Sequence, residues 1–504
     1  MALLVICLLW FLCALVGGSS GREKGSLGGF EGFASTLDGT FKLSQLQVTS
    51  QQPTAEPASA NVIVEIDETQ TFQEIFGIGS SFEASTCWNL MKLSSEERNQ
   101  VLKQLLDPIE GIGISLMRLT IGTSDFTPPP FYSYDDSTEP DDDLSNFSID
   151  EDRKYIIPAI KEALAYSETK DGLKFFASSW SPPAFMKTSN SLTGGEFNSS
   201  YSALYAKYLA MFVEAYNKEG IQVEALTPQN EPLQNDPSYP TTWLTADQEI
   251  DIVKHLGPLL PNDTEIWSFD HNWDLVDYAY RVLADPEARK VVAGTAFHLY
   301  GGQPSAMTKL KEAYPDKKIF FSEGSEFKVR GAQQMVEIFQ NYASTYNAWV
   351  TMLDTNMQPN AGPFKPMSTL VELDTLSMTP IYRFEFYMLG QFSKFVRRGA
   401  FRIQSSLTFL DSDRDGGDLS DANGDEKGKV NADNLNKDVT AVAFINPQDP
   451  SIADEKNRGA IVVVVVNPAS TAVPLQVRFQ GSLSSVVSLP PGSVSTLRFG
   501  GVIR

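Results

Sequence analysis

Cysteine and histidine are almost absent from this chain, with three of each among 504 residues. Cys7 and Cys13 fall in an apolar N-terminal run, so a chain trimmed of that run keeps only Cys87 and has no intrachain disulfide. Zinc sites of the His/Cys type need three or four such ligands. His255, His271 and His298 are all the histidine there is, and no HExxH occurs. Also missing are a GxxxxGK[ST] loop, a GxGxxG after a strand, and a GxSxG turn between a strand and a helix. These absences argue against nucleotide cradles and serine-elbow hydrolases, and no metal or cofactor is expected. Basic residues are in deficit too: 40 Lys and Arg against 63 Asp and Glu give a formal charge of -23. Such a surface repels nucleic-acid phosphates and anionic lipid headgroups, so a nucleic-acid partner is excluded. After the N-terminal run no apolar stretch is long enough to span a bilayer, since Ile461 to Val466 is only strand-length.

What remains is the composition of an ordinary globular protein, 42% hydrophobic and 20% charged, with unexceptional glycine and proline. The length allows several domains, or one barrel with a companion. The start runs apolar from Ala2 to about Val16, then small from Gly17 to Gly21, then charged. Residues 1–20 therefore read as a secretory signal peptide, too short for a spanning helix of ~20 residues. The mature chain is expected in a secreted or lysosomal lumen, with no stable membrane insertion. Three sequons, at Asn146, Asn198 and Asn262, fit an exported glycoprotein.

Short β-rich runs alternate with amphipathic stretches along most of the chain. The strand candidates are Phe72–Phe82, Ile114–Gly122, Leu173–Trp180, Val223–Thr227, Glu265–Asp270, Val292–Tyr300, Lys318–Ser322 and Ala348–Asp354. Eight such units predict an α/β fold, a closed (β/α)8 barrel over residues 72–380, with a doubly wound open sheet as the competing arrangement. Ser94 to Glu97 makes a capping box ahead of an apolar face of Val101, Leu102, Leu105 and Leu106. Gly77-Ile-Gly79 reads as a tight bend at the barrel mouth. After about Pro380 the texture turns to β-branched runs such as Val439–Ile445, Ala460–Val466, Val473–Phe479 and Val494–Phe499, the mark of an antiparallel β domain over 381–504. Two orphan strands near Phe41–Val48 and Val62–Ile66 are expected to join it, adding residues 40–71. The segment from Asp411 to Asp425 has the oxygen spacing of the first half of a calcium loop. Ala422 stands at the twelfth position, where a bidentate Glu is required, so it reads as a solvated acidic loop.

Chemistry in such a barrel sits where the strands end. The second strand ends in Arg118 with Asp125 just beyond, the third in Trp180, and the fourth in Asn230-Glu231-Pro232. The fifth ends in Asp270-His271-Asn272-Trp273, the sixth in His298-Leu-Tyr300, the seventh in Ser-Glu323, and the eighth in Trp349 through Asp354. Any one of these is as readily a structural polar group. Together, two carboxylates, several aromatics and an Asn suit sugar hydrolysis: one acid protonates the leaving oxygen, one carboxylate faces the anomeric carbon, and rings hold the pyranose. A neighbouring Glu323 charge is expected to raise the Glu231 pKa.

The segments Gly77-Ile-Gly79-Ser-Ser-Phe-Glu83, Met-Arg118-Leu-Thr-Ile-Gly-Thr-Ser-Asp125, Ser-Trp180-Ser-Pro-Pro, Thr-Pro-Gln-Asn230-Glu231-Pro232, Phe-His298-Leu-Tyr300 and Phe-Ser-Glu323 resemble, in order and spacing, those of glycoside hydrolase family thirty. The resemblance covers about residues 60 to 504. It implies a barrel flanked by a β-sandwich of C-terminal and N-terminal strands, and a retaining mechanism with Glu231 as acid/base and Glu323 as nucleophile. Arg118, Asp125, Trp180, Asn230, His298, Tyr300 and Trp349 would line the sugar pocket. The chain departs from the family at Phe82-Glu83, where Thr-Asp is common, and at Met352, where the glucosylceramidase branch carries a second Trp. The reading is a retaining β-glycosidase of the glucosylceramidase type acting on a glycolipid. The alternatives are an endo-β-1,6-glucanase acting on a β-glucan and an inactive sugar-binding homologue.

Overall fold

The computed structural model describes residues 30–47, 60–166, 172–410 and 438–500. The signal peptide assigned to residues 1–20 and the acidic loop at 411–425 lie outside the described residues.

Eight parallel strands form the barrel: Gly77–Ser81, Leu116–Ile121, Lys174–Ser179, Val223–Thr227, Glu265–Asn272, Val292–His298, Lys318–Glu323 and Thr345–Asn347. The first seven pair in sequence order, and the eighth returns to the first, with Asn347 opposite Gly79. Two parallel bridges, Ile319 to Ala343 and Gly324 to Ala348, join the seventh strand to the eighth segment and close the ring. The interior is filled by Leu116, Phe176, Ala225, Trp267, Ala296 and Phe320, with Trp267 stacked on Phe320 at 3.8 Å. These side chains come one each from the second to the seventh strand, so the barrel centre is a packed core and not a pore.

Two strand expectations change on folding. The run Phe72–Phe82 divides: its first part ends the long strand Val62–Glu74 of another sheet, and only Gly77–Ser81 enters the barrel. Ile75 and Phe76 form the joint, their N–H groups donating to Ala400 and Ser344 carbonyls at 2.7 Å each. A continuous β-branched and aromatic pattern carries no mark of a change of sheet. The eighth barrel strand lies earlier than Ala348–Asp354; Met352–Asp354 leaves the barrel to pair with Val371–Asp374 in a three-stranded sheet. Gly79 is part of the first strand rather than a bend. A Cβ there would stand 1.7 Å from the Leu116 carbonyl oxygen, so only glycine lets the two strands close up.

The predicted capping box is present, Ser94 Oγ accepting from the Glu97 N–H at 3.2 Å, and Val101, Leu102, Leu105 and Leu106 are buried behind it. Glu83, the departure noted above, has a structural use. It caps helix Ala84–Lys92 by accepting from the Thr86 N–H at 2.9 Å and is fully buried, which pushes its carboxyl up to about 7.

The accessory domain is a mostly antiparallel ten-stranded sheet. It takes in Val473–Phe479, Val62–Glu74, Phe401–Phe409, Thr440–Ile445, Ile461–Asn467, Ser493–Phe499 and Phe30–Thr36 in that order. Of the expected strand near Phe41–Val48 only Ser44–Gln45 forms among the described residues, pairing with Phe30–Thr36. Leu475 and Val477 near one end of the order share a core with Ala34 and Leu46 near the other, so the sheet folds over on itself as a sandwich. The unbroken valine run has a two-sided cause. Ile461, Val463 and Val465 face that core, while Val462, Val464 and Val466 pack into the core of the barrel's helices. No helix among the described residues is long and apolar enough to cross a membrane.

Candidate active site

The polar strand ends converge around Asp270, at the end of the fifth strand and fully buried. Its Oδ2 accepts from Arg118 Nη2 at 2.9 Å, Ser178 Oγ at 2.9 Å and Thr227 Oγ1 at 2.6 Å. Its Oδ1 accepts from His298 Nε2 at 2.9 Å and Ser322 Oγ at 2.5 Å. Burial alone would raise this carboxyl, but the charges of Arg118 and His298 and the hydrogen bonds hold it far below the usual range. Asp270 is thus a fixed anion tying together the second to seventh strands.

Arg118 and His298, both fully buried, carry that anchor up to two glutamates. Arg118 donates from Nη1 to Glu323 Oε2 and from Nη2 to Asn230 Oδ1 at 2.8 Å. Its guanidinium also lies over the Trp180 ring, 4.7 Å from the centroid. Glu323 receives a second bond, from Tyr300 Oη at 2.9 Å. His298 Nδ1 lies 3.2 Å from Glu231 Oε1 and 3.9 Å from Glu323 Oε1, so the two carboxylates approach one ring nitrogen. Glu231 adopts φ 46°, in the left-handed region, held by its N–H donating to the Asp270 carbonyl at 3.0 Å. Such a conformation costs about 1–3 kcal/mol and persists where surrounding contacts over-determine it, typically in functional sites.

Above this lattice opens a cavity of about 470 Å³. Asp125, Trp180, Asn230, Glu231, Tyr300, Glu323 and Trp349 all border it, so seven of the nine residues singled out from the sequence meet at one opening. Arg118 and His298 do not border it and act from beneath. Trp180 and Trp349 stack on each other at 5.2 Å and are almost wholly buried, forming a rigid wall with Phe126. Sequence reasoning left Asp270 and His271 out of its site set although both close a strand, and it missed Tyr239, Phe364 and Met367 altogether. Phe364 and Met367 sit in a loop beyond the eighth strand, where no periodicity points to a site.

Protonation departs from expectation. Burial raises Glu231, but the hydrogen bond from His298 and the positive charge behind it outweigh that, and the carboxyl sits below its ordinary value. Burial also opposes charge on His298, yet the Glu323 and Asp270 carboxylates push its pKa up to about 10. The proton that Glu231 was expected to hold therefore resides on the imidazole next to it. His271 is driven the other way by burial, to about 4, and is neutral, its Nδ1 3.7 Å from Glu231 Oε1. Asp125 is pushed well above the carboxylate range by burial and by the Glu323 charge.

Arg118→Met is expected to destabilise the fold by about 3–5 kcal/mol, because Asp270 would remain buried with its main counter-charge gone. Chemical unfolding measures this; a change below about 1 kcal/mol would mean that His298 and the hydroxyls suffice.

A buried ion lattice below two carboxylates and an aromatic wall, at the C-terminal mouth of a (β/α)8 barrel, is the apparatus of an enzyme that hydrolyses O-glycosyl bonds. The sequence model of the glycosyl hydrolase family 30 TIM-barrel domain matches residues 75–396. An endo-1,6-β-D-glucanase of Neurospora crassa is 31% identical over 392 residues, covering 73% of this chain and 80% of that protein. A protein named putative glucosylceramidase 4, from Caenorhabditis elegans, is 30% identical over 382 residues, covering 69% and 72%. Among solved structures, the endo-beta1,6-glucanase BT3312 superposes with a TM-score of 0.77 at 25% identity, over 94% of this chain and 99% of the other. The chain belongs to glycoside hydrolase family 30.

Proposed function

We propose that this family 30 enzyme is a retaining endo-β-1,6-glucanase, with Glu323 as nucleophile and Glu231 as acid/base. The observation that carries the mechanism is the meeting of both carboxylates at His298 Nδ1. Their nearer oxygens can be no further apart than the sum of those two distances. That upper limit accommodates the ~5–5.5 Å separation of a retaining pair. Arg118 and Tyr300 each donate to Glu323, which fixes the orientation of the carboxylate for attack. Asn230 stands beside the acid/base and is positioned to hydrogen-bond the 2-hydroxyl. Asp125, Trp180 and Trp349 hold the rest of the glycone.

For the substrate, the glucanase reading now stands ahead of the glucosylceramidase reading favoured by the sequence motifs. It is supported by the likeness to the Neurospora crassa enzyme and to BT3312, both of which bear the name of β-1,6-glucanases. A glycolipid reading has its own support. Phe364 and Met367, 54% and 72% exposed at the pocket rim, offer an apolar ledge for a lipid aglycone, and the Caenorhabditis elegans relative is named accordingly. Purified enzyme given β-1,6-glucan and glucosylceramide side by side decides between them. Short β-1,6-linked oligomers with retained anomeric configuration are expected from the first, and ceramide release alone would reverse the choice. We also place the enzyme in an exported compartment. The three sequon asparagines are all exposed, as glycosylation there requires.

A further inference from the structure

A second cavity, of about 750 Å³, opens beside the catalytic pocket and takes no part in the mechanism above. Its volume falls among those of pockets that enclose small-molecule ligands. Trp88 comes from helix Ala84–Lys92 after the first barrel strand. Pro129 and Phe131 come from the loop after the second strand, and Tyr155 from the end of that loop. All these segments leave the C-terminal ends of their strands, the face that carries Glu231 and Glu323.

The lining has a definite chemistry. Trp88 leaves 39% of its surface open, and Tyr155 meets its ring edge-on at 5.3 Å, which sets the plane of the indole. Exposed Lys92 reaches over the same ring at 5.7 Å. The charged residues of the lining are Lys92, Lys154, Asp136 and Glu151, two of each sign, on a chain whose formal charge is -23. An acyl chain laid here would strip water from four charged groups. A polyanion would meet Asp136 and Glu151 as well as the acidic surface. A neutral polyol meets neither penalty: its apolar ring faces lie on the indole and its hydroxyls find donors and acceptors at the rim.

The cavity is also continuous with the catalytic wall. Phe131 borders it and packs against the cluster of Phe126, Trp180 and Trp349 that walls the catalytic pocket. The two openings thus share one aromatic cluster, which puts a polymer occupying the first close to the catalytic pocket.

We infer that the Trp88 cavity is an accessory subsite that holds a remote stretch of the β-glucan chain whose scissile bond lies between Glu231 and Glu323. This rests on the glucanase reading. Occupying it tethers a polymer and raises the local concentration of its other segments at the catalytic pocket, a benefit unavailable to a substrate one or two sugars long.

The test compares Trp88→Ala and Trp88→Phe on soluble β-1,6-glucan and on an aryl β-glucoside. Trp88→Ala is expected to lower kcat/KM on the polymer by roughly tenfold, chiefly through KM, and to leave the aryl glucoside unchanged, with Trp88→Phe restoring most of the loss. Should Trp88→Ala not fold, the exposed pair Lys92→Ala/Lys154→Ala asks the same question, with a loss of about threefold or more expected on the polymer alone. Equal losses on both substrates, or no loss on the polymer, would overturn the subsite and leave the glucanase reading standing. Wild-type enzyme that cleaves glucosylceramide and leaves the glucan intact would remove the reading and the occupant together, a result visible before any variant is made.

Discussion

Glu323→Gln is expected to cost on the order of 10⁴-fold or more in kcat/KM on every β-glucoside, because no glycosyl-enzyme can form without the attacking oxygen. The amide fits the same space and can keep an oxygen towards Arg118, so the loss should appear without a comparable change in stability. Leaving-group chemistry should not rescue it. Aryl glucosides and glucan fall together, since the missing step precedes departure of either. A mechanism-based inactivator should label Glu323 in the wild type and nothing in the variant. Label on Glu231 would exchange the roles of the two carboxylates.

Glu231→Ala should separate substrates that Glu323→Gln does not. On glucan, whose leaving hydroxyl needs a proton, the expected loss is about 10²–10⁴-fold, the usual worth of a general acid. On an activated aryl glucoside, glycosylation should be nearly intact, and azide should restore turnover by attacking the glycosyl-enzyme in place of activated water. The pH profile follows from His298. In the resting site the proton lies on the imidazole, whose pKa is pushed up to about 10, while Glu231 is ionised below its ordinary value. The productive form carries that one proton on Glu231. Both forms hold the same number of protons, so kcat/KM declines only when the pair loses its proton as a unit. The alkaline limb is therefore expected above the pH of about 6 that an isolated raised carboxyl would give, and should vanish for the aryl substrate in Glu231→Ala. An unchanged alkaline limb in that variant would assign it to another group.

The sequence alone determined much of this protein. The eight βα units and the β-rich companion were legible because hydrophobic periodicity fixes where strands run. Barrel geometry brings the residues that end those strands to one mouth, and of the nine that the family resemblance singled out, seven border one cavity. The strand count placed Glu231 and Glu323 at the fourth and seventh strand ends, and the family resemblance gave them their expected roles. Only the tertiary structure decided that Phe72–Phe82 is shared between two sheets, because the same β-branched pattern serves either one and the partner strand Phe401–Phe409 lies more than 300 residues away. It alone showed Asp270 as the hub, since hydrogen bonds from Arg118, Ser178, Thr227, His298 and Ser322 meet at one carboxylate from five other strands. Only it could reverse the expected proton on Glu231. A pKa is set by the charges within a few ångströms, and the imidazole that decides this one stands 67 residues further along the chain and 3.2 Å away.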